Sequence, residues 1–519
     1  MKTNITSKFL MLLMGLIILS SCDKFLEEDL RDEITPDSFF TNDKEAELAV
    51  NGVYRLFHNN NLYAQRGLDN YYTSGADIQA ASRNVNNEIH NYLIQEGTAD
   101  GNGTWIYLYR VVNNTTEFIS NIEGNESLSQ EARDQRVGEL LFLRALAYYH
   151  LTNLWGDVPF YTEQLPVPER STLGRTPKAE IRSAMKTDLA KAFDLLPTSY
   201  SGGNLGRATK WAAATLKAKY HLFDKEWGLA KIECDKVIDE SPHRLLDDYA
   251  DVFDQSDPSN QYNDEYIFVI DFEADLVGEL STTRTDDYNP RIRDEPANRN
   301  KDTVVNGVSG SKVNIFQGLL RERSEDMTGY GWSVPLPEFA LRENWQDGDL
   351  RYDATIVTEY LGWKLSFPYF RKNWNLDQEN SLRGNHPENY IVFRLADVYL
   401  MAAEAENEAN GPGNAFAYVN KVRERAFEPD QPWSGMSQVQ FREAMYDERK
   451  FELSAEGHRR MDLIRWGILL DRVKTVQHRA WNNPAANIQP YHVLLPIPQN
   501  QLELNPNLLE SDPTNNGYR

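Results

Sequence analysis

The chain has 519 residues, and its 54 Lys and Arg against 78 Asp and Glu give a formal net charge of −24. Because a phosphate backbone needs a basic surface, this charge excludes nucleic acid as a partner. Hydrophobic residues at 41% exclude wholesale disorder, and two cysteines exclude a disulfide framework.

The first segment has the pattern of a bacterial lipoprotein signal. A basic start precedes an apolar run over 9–19, which is shorter than the roughly 20 residues that a bilayer-spanning helix needs. The following Leu-Ser-Ser-Cys resembles a lipobox, in which cleavage precedes an acylated cysteine. We therefore expect a signal peptide at 1–21, lipidation at Cys22 and an acid-rich tether over 22–42. A secreted protein with a chance cysteine is the alternative.

Helical periodicity dominates the first half of the mature chain. Apolar residues recur every three to four positions, between polar capping residues and helix-ending Gly or Pro. The strongest stripe begins at Val137 and ends before Gly156. The spacing predicts helices at 43–57, 104–122, 131–155, 178–196, 209–223 and 226–239.

From 247 to 389 this periodicity mostly disappears, and Gly, Pro, Asn, Asp and aromatic residues accumulate. Alternating runs at 266–270 and 353–357 predict isolated strands or hairpins. A segment this long and this rich in aromatic residues is more typical of functional loops than of disorder. Helices are predicted again over 390–468, before an extended and then polar tail.

An internal repeat appears when the chain is aligned with itself at an offset of 185 residues. The spacing of small residues in both copies matches the tetratricopeptide pattern of two closely crossing helices. One helical pair cannot bury its faces alone, so we expect both copies to stack in one solenoid-like body. The aligned pairs are Leu216 with Met401, Ala218 with Ala403, Ala230 with Ala415, Cys234 with Val419, and Val237 with Val422.

Four segments resemble recurring segments of the SusD/RagB-like family of outer-membrane nutrient-binding lipoproteins. They are FLRALAYYHL (142–151) with LWGDVP (154–159), FRLADVYLMAAEA (393–405), ERKFEL (448–453) with EGHRRMDLIRWG (456–467), and LPIP (495–498) with NPNL (505–508). The resemblance implies a mainly α fold, in which tetratricopeptide-like helical pairs form a scaffold for a loop-rich insert with short strands. We expect one domain over 43–519, with the scaffold at 43–246 and 390–470 and the insert at 247–389.

The resemblance also implies a function. Such a protein is lipid-anchored in the outer membrane, faces the cell exterior, captures an oligosaccharide and delivers it to a TonB-dependent transporter of the SusC type. A peptide-binding member of the family, or a helical-repeat adaptor without a small-molecule site, remains an alternative. The acid excess favours a neutral ligand over a polyanionic one.

Two loops combine aromatic and polar residues in the way that sugar binding requires. Flat rings accept the apolar side of a pyranose, while Asn, Asp and Arg bond its hydroxyls. The first loop covers 69–77 and runs on to Arg83 and Asn84; the second covers 284–293 and is followed by 330–332. Of the candidates, Asp77 and Trp332 have an equally good structural interpretation. The candidate ligand-binding residues are Asn70, Tyr71, Tyr72, Asp77, Arg284, Tyr288, Tyr330 and Trp332.

Glu448, Glu452 and Glu456 share one helix face and could act as acid and base. The arginines interleaved with them favour ion pairs that hold this helix to its neighbours. The sequence contains no zinc-ligand spacing, nucleophile elbow or phosphate-binding loop, so we expect no enzyme, no metal and no cofactor. The residues expected in the core are Trp105, Trp155, Cys234 and Trp466.

Overall fold

The computed structural model is mainly helical, as the resemblance implied. The lipobox with Cys22, Arg83, Asn84 and Arg293 lie outside the described residues. The structure describes residues 39–519 without 82–87, 275–279, 291–303, 306–307, 310–328, 361–362, 375–383 and 479–482.

The helices alternate with short strands and single 3₁₀ turns. The helices are α1 (Asp43–Leu56), α2 (Gly67–Thr73), α3 (Ala99–Ile122), α4 (Gln130–Trp155), α5 (Val167–Arg170), α6 (Lys178–Leu195), α7 (Lys210–Phe223), α8 (Trp227–Glu240), α9 (Arg284–Tyr288), α10 (Pro337–Ala340), α11 (Arg351–Thr355), α12 (Leu395–Asn410), α13 (Pro412–Ala426), α14 (Gln438–Glu452), α15 (Arg459–Trp466), α16 (Leu469–Thr475), α17 (Pro484–Asn487) and α18 (Gln499–Leu504). The strands are β1 (Gln79–Ala81), β2 (Tyr266–Ile270), β3 (Val304–Val305), β4 (Val308–Ser309), β5 (Ser333–Pro335), β6 (Ile356–Tyr360), β7 (Trp363–Phe370) and β8 (Tyr390–Arg394).

The six helices predicted in the first half are confirmed, most of them to within one residue. The exception is α3, which begins at Ala99 rather than at 104 and includes two glycines in its first turns. Glycine weakens a helix, but a Cβ at Gly103 would lie 2.1 Å from the Asn61 side-chain oxygen, so any larger residue would displace the Asn61 amide. The glycine lets the Asn61 loop lie directly against the helix.

The internal repeat is confirmed. Helices α7 and α12, and likewise α8 and α13, begin at positions that differ by the same 185 residues. Helix α12 packs against both α8 and α13, so the second helical pair, α12 and α13, stacks directly on the first pair, α7 and α8. The aligned Ala218 and Ala403 are fully buried, as close helix crossing requires. The chain-distant copies therefore belong to one helical body.

Strand β2 forms as predicted, whereas the prediction that helices resume at residue 390 is wrong for the first five residues. These residues form β8, which pairs antiparallel with β2 from Ile270 opposite Tyr390 to Tyr266 opposite Arg394. The run of aromatic and β-branched residues in β8 suits a strand buried beside β2. The two strands bring both ends of the middle segment together.

The predicted strand at 353–357 is only partly correct, since α11 ends at Thr355 and β6 begins at Ile356. The buried Arg351 bonds both carboxylate oxygens of Asp349 and fixes the helical turn that precedes the strand. Strand β6 forms a hairpin with β7, and β1 pairs with β5.

The carboxylates of Glu448, Glu452 and Glu456 form buried ion pairs, so their structural interpretation is confirmed, but the prediction of one shared helix face is wrong for Glu456, because α14 ends at Glu452. The partners are not the interleaved arginines; Arg449, for example, pairs with Asp397 and Asp462. Burial opposes ionisation, but the guanidinium groups around Glu452 hold the pKa of its carboxyl well below the usual range. We call the resulting cluster the junction network; it consists of Glu265, Arg351, Lys372, Arg394, Arg423, Arg425, Glu448, Glu452 and Glu456.

The expected core residues behave as predicted, with one difference. Trp105, Trp155 and Cys234 are buried, and burial raises the pKa of the Cys234 thiol well above its ordinary value. Trp466 is only half-buried, and its indole nitrogen donates to the buried Glu404 at 2.8 Å.

Candidate functional site

The strand pair β1–β5 brings together the two segments that were predicted as loops; the prediction is wrong for part of each, since they contain the short helices α2 and α9. Strand β1 follows the first loop and β5 follows Trp332, and Ala81 lies opposite Ser333. The backbone N–H of Tyr330 donates to the Asp286 carbonyl at 2.6 Å, which holds this segment over α9. Residues far apart in the sequence therefore share one surface at α2 and α9.

The Asp69 carboxylate connects α2 to α9 through buried contacts. Its carboxylate accepts a hydrogen bond from the Tyr288 hydroxyl at 2.8 Å and one from Arg284 at 3.4 Å. The Arg284 guanidinium also lies 4.5 Å from the centre of the Tyr390 ring. These buried contacts fix α2 and α9 relative to each other.

Three residues form what we call the site rim: Arg66, Asp287 and Trp332. Arg66 precedes α2, and its guanidinium carbon lies 4.5 Å from the centre of the Trp332 ring, a cation–π contact. Its Nε lies 3.3 Å from a carboxylate oxygen of Asp287. The Arg66 side chain is 40% exposed and Asp287 only 2%, so the arginine covers the buried carboxylate and reaches solvent.

The Asp287 carboxyl is electrostatically unusual. Burial raises its pKa to about 7, with Asp69 and Asp286 adding to the effect while Arg66 and Arg284 oppose it. Neither of its oxygens accepts a hydrogen bond within the part of the chain that the structure describes. A buried carboxyl without hydrogen bonds retains capacity to accept them.

Next to the rim lies a cavity of about 240 Å³, which we call the amide pocket. Carboxamides carry both donors and acceptors, so they match hydroxyl groups, which also do both. Asn70 is fixed in it, since its side-chain oxygen accepts from the Ser74 hydroxyl at 2.5 Å. The pocket is lined by Asn60, Asn61, Gln65, Arg66, Gly67, Asn70, Tyr71 and Thr104.

The structure thus groups some of the predicted residues and separates others. Asn70 and Tyr71 line the amide pocket, while Trp332, with Tyr330 two residues before it, lies at the rim on a partly exposed segment. Arg284 lies beneath this surface and lines a second cavity described below.

Tyr72, Asp77 and Tyr288 lie in the interior. The Tyr72 hydroxyl contacts the His150 ring at 2.5 Å, and Asp77 accepts two hydrogen bonds from Arg459, at 2.7 and 2.6 Å. Although burial would raise it, the Arg459 guanidinium lowers the pKa of Asp77. These contacts hold the two segments in place from the interior. That these three residues contact a ligand directly stays a prediction.

Sequence reasoning missed Arg66 and Asp287, together with the other amides of the pocket. The run Asn59-Asn60-Asn61 followed by Gln65-Arg66 was a usable signal, because it concentrates carboxamides between two helices. Asp287 gave no such signal, since its burial beside Arg66 depends on the pairing of distant segments.

The described ranges contain neither a metal-binding cluster nor a helix suited to a membrane. Within them, no group of three or more His, Cys, Asp or Glu side chains could hold a metal ion. No helix there is both long and apolar enough to cross a membrane.

Comparison with known proteins identifies the family. A model described as "SusD family" matches residues 353–518, and one described as "Starch-binding associating with outer membrane" matches 24–222. SusD-like protein P25 of Formosa agariphila is 45% identical over 527 aligned positions, which cover 96% of this chain and 97% of that protein.

Solved structures show the same fold. A laminarin binding SusD-like protein superposes with a TM-score of 0.71 at 22% identity, covering 89% of this chain and 98% of its own. Surface glycan-binding protein A from Bacteroides thetaiotaomicron, in complex with laminarihexaose, gives a TM-score of 0.70 at 18% identity, covering 89% and 97%. The full-length likeness to P25 and the matched models together show that this chain belongs to the SusD family.

Proposed function

We propose that this protein captures a neutral oligosaccharide at the outer surface of the cell and delivers it to a SusC-like TonB-dependent transporter. The observation that carries the proposal is the amide pocket beside the Arg66–Trp332 contact, on a fold whose relatives include glycan binders. Carboxamides and a guanidinium suit sugar hydroxyls, and an indole ring suits the apolar face of a pyranose. The net charge of −24 favours an uncharged ligand.

Titration calorimetry with the chain from residue 23 onward tests the glycan part. Laminarihexaose is the first ligand to use, because a neighbouring structure contains it; maltohexaose and a peptide digest complete the series. We expect saturable binding of at least one oligosaccharide. Binding of the digest alone would favour the peptide alternative, and no binding of any kind would favour the adaptor.

A matched pair of variants assigns binding to the site. Arg66→Ala removes the cation over Trp332, and we expect affinity to fall about tenfold, or ~1.4 kcal/mol. Arg110→Ala removes a similar contact, with the guanidinium carbon 4.6 Å from the Tyr107 ring, on α3 outside the amide pocket. Equal losses in both variants would contradict the assignment.

The anchor and the partner need separate tests. We expect labelled palmitate to be incorporated into the full chain and not into the Cys22→Ser variant, because acylation requires that thiol.

The lipidated protein, extracted in mild detergent, is expected to co-purify with a TonB-dependent transporter. Recovery of the anchored protein without any transporter would contradict delivery, while leaving glycan capture intact.

A further inference from the structure

A second and larger cavity lies between the helical body and the middle segment. It encloses about 640 Å³, within the range of small-molecule sites, and we call it the junction cavity. Its walls come from the segment after α8, from α9, from both ends of the β6–β7 hairpin region and from the residues before β8. Residues that shape it include Gln255, Arg284, Arg371, Asn373, Trp374 and Asn389.

The floor of the junction cavity carries unused hydrogen-bond donors. Arg284 and Arg425 both line it, and the Nε of each is buried without a hydrogen-bond partner in the described residues. Their other nitrogens are occupied: Arg284 donates to Asn373 at 2.6 Å, and Arg425 donates to Glu452 at 2.7 Å. Buried donors without partners are costly, so each Nε would gain a hydrogen bond if its side chain turned it toward an acceptor in the cavity.

The upper walls have the opposite charge. Asp251, Asp254 and Asp353 are exposed at the cavity, and Glu388 lies beside them. These carboxylates disfavour a polyanion, while the guanidinium groups of Arg284 and Arg425 favour a ligand with hydrogen-bond acceptors over a cation. A neutral molecule with several hydroxyl groups meets both demands, because each hydroxyl can donate and accept.

Aromatic side chains complete the lining. Trp374, Tyr249 and Phe253 line the cavity, and Lys372 lies 4.7 Å from the Phe253 ring centre. Rings that alternate with amides and guanidinium groups provide apolar faces and fixed polar groups in one enclosure.

From this lining we propose that the junction cavity is a second binding site, for a short neutral carbohydrate of one or two sugar units. The ligand class rests on the proposed function, and the location rests on the cavity itself. Arg284 connects the two sites, since it lines the junction cavity and bonds Asp69, the neighbour of Asn70 in the amide pocket.

Saturation-transfer NMR on the chain from residue 23 onward tests this proposal. The probes are glucose, galactose, mannose, xylose, maltose, cellobiose and laminaribiose, each at millimolar concentration. Arg66→Ala with Trp332→Ala weakens the first site. In that background, Ala354→Trp fills the junction cavity without removing a polar side chain, because Ala354 lines it. Ala409→Trp, at an exposed position on α12, is the matched control.

We expect the double variant to retain saturation transfer to at least one sugar. Ala354→Trp should then reduce that signal at least about fivefold, while Ala409→Trp leaves it unchanged. If Ala354→Trp unfolds at a clearly lower temperature than the control, Arg371→Ala replaces it with the same expectation. A signal that survives blocking of the cavity would overturn the proposal.

The other outcomes separate the two sites. Loss of all signal in the double variant alone would overturn the second site and support the first. Loss on Ala354→Trp alone, with the double variant unaffected, would support the second site and contradict the first. No signal from the unmodified protein would overturn both.

Discussion

The junction network and the site rim both place an arginine beside a carboxylate, but they differ in how completely the charges are paired. Arg394 in the network bonds Glu265, Glu452 and Glu456 at 2.6 to 3.0 Å and is fully buried. Arg66 at the rim approaches one carboxylate at 3.3 Å and remains 40% exposed. The comparison separates polar groups whose charges are fully paired in the interior from groups that are partly paired at the surface.

The largest effect is expected at the centre of the network. Arg394→Ala removes a fully buried cation that pairs with Glu265, Glu452 and Glu456, and it leaves excess negative charge in a buried setting, which costs about 3–5 kcal/mol of unfolding free energy. Urea denaturation of the chain from residue 23 onward measures it. A loss below about 1 kcal/mol would show that water enters the junction network and that its ion pairs resemble exposed ones such as the pair at the site rim.

Asp287 makes the rim sensitive to pH. Its pKa is about 7 in the folded protein and about 3.9 in the unfolded chain, so the folded state binds more protons between these values. Stability from this group is therefore present at low pH and is lost as the pH rises from about 4 to 7.

The Asp287→Asn variant removes this loss, because the amide resembles the protonated acid. We expect the variant to exceed the original protein in unfolding free energy at pH 8, by up to about 4 kcal/mol, and to approach it toward pH 4. Denaturation at pH 8 and at pH 4 measures this difference in unfolding free energy. A constant difference across the range would contradict the raised pKa.

Trp332→Ala is expected to act on binding rather than on folding. Loss of the ring removes both a stacking surface and the support for Arg66, so we expect affinity for the cognate oligosaccharide to fall about tenfold or more, while stability changes by less than about 1 kcal/mol. Calorimetry and denaturation of the same preparation separate the two quantities. A large loss of stability with unchanged affinity would place Trp332 with the structural residues.

The smallest effect is expected for a surface ion pair. Arg442 bonds Glu408 at 2.6 Å, but its side chain is 35% exposed, so Arg442→Ala is expected to cost less than about 1 kcal/mol. It is the matched control for Arg394→Ala in the same denaturation series. A comparable loss in both would remove the distinction between buried and exposed pairs.

The helices could be predicted because their information is local. The apolar spacing of α4 and its terminal Gly156 lie within one stretch of sequence, and the repeat offset needed only a self-comparison. The β8 strand was mistaken for the start of a helix because its partner β2 is more than 100 residues away in the sequence. Sequence spacing contains no record of such pairing.

The site was predictable in composition but not in arrangement. Asn70 and Trp332 were found because aromatic and amide residues cluster locally, whereas the Arg66–Asp287 contact joins α2 to α9 across 221 positions. The carboxylates of α14 give a second example. Their role in ion pairs was predictable, but the arginines that pair with them come from other elements.

The antiparallel pair β2–β8 has a consequence for the architecture as a whole. Because Ile270 lies opposite Tyr390, the chain leaves and re-enters the helical body at one place. The closure entropy of a flexible loop changes by only about 0.6 kcal/mol for each doubling of its length. The length and the exposed side chains of the segment 271–389 can therefore change at low entropic cost, as long as Arg351 and Lys372 keep their ion pairs with the helical body.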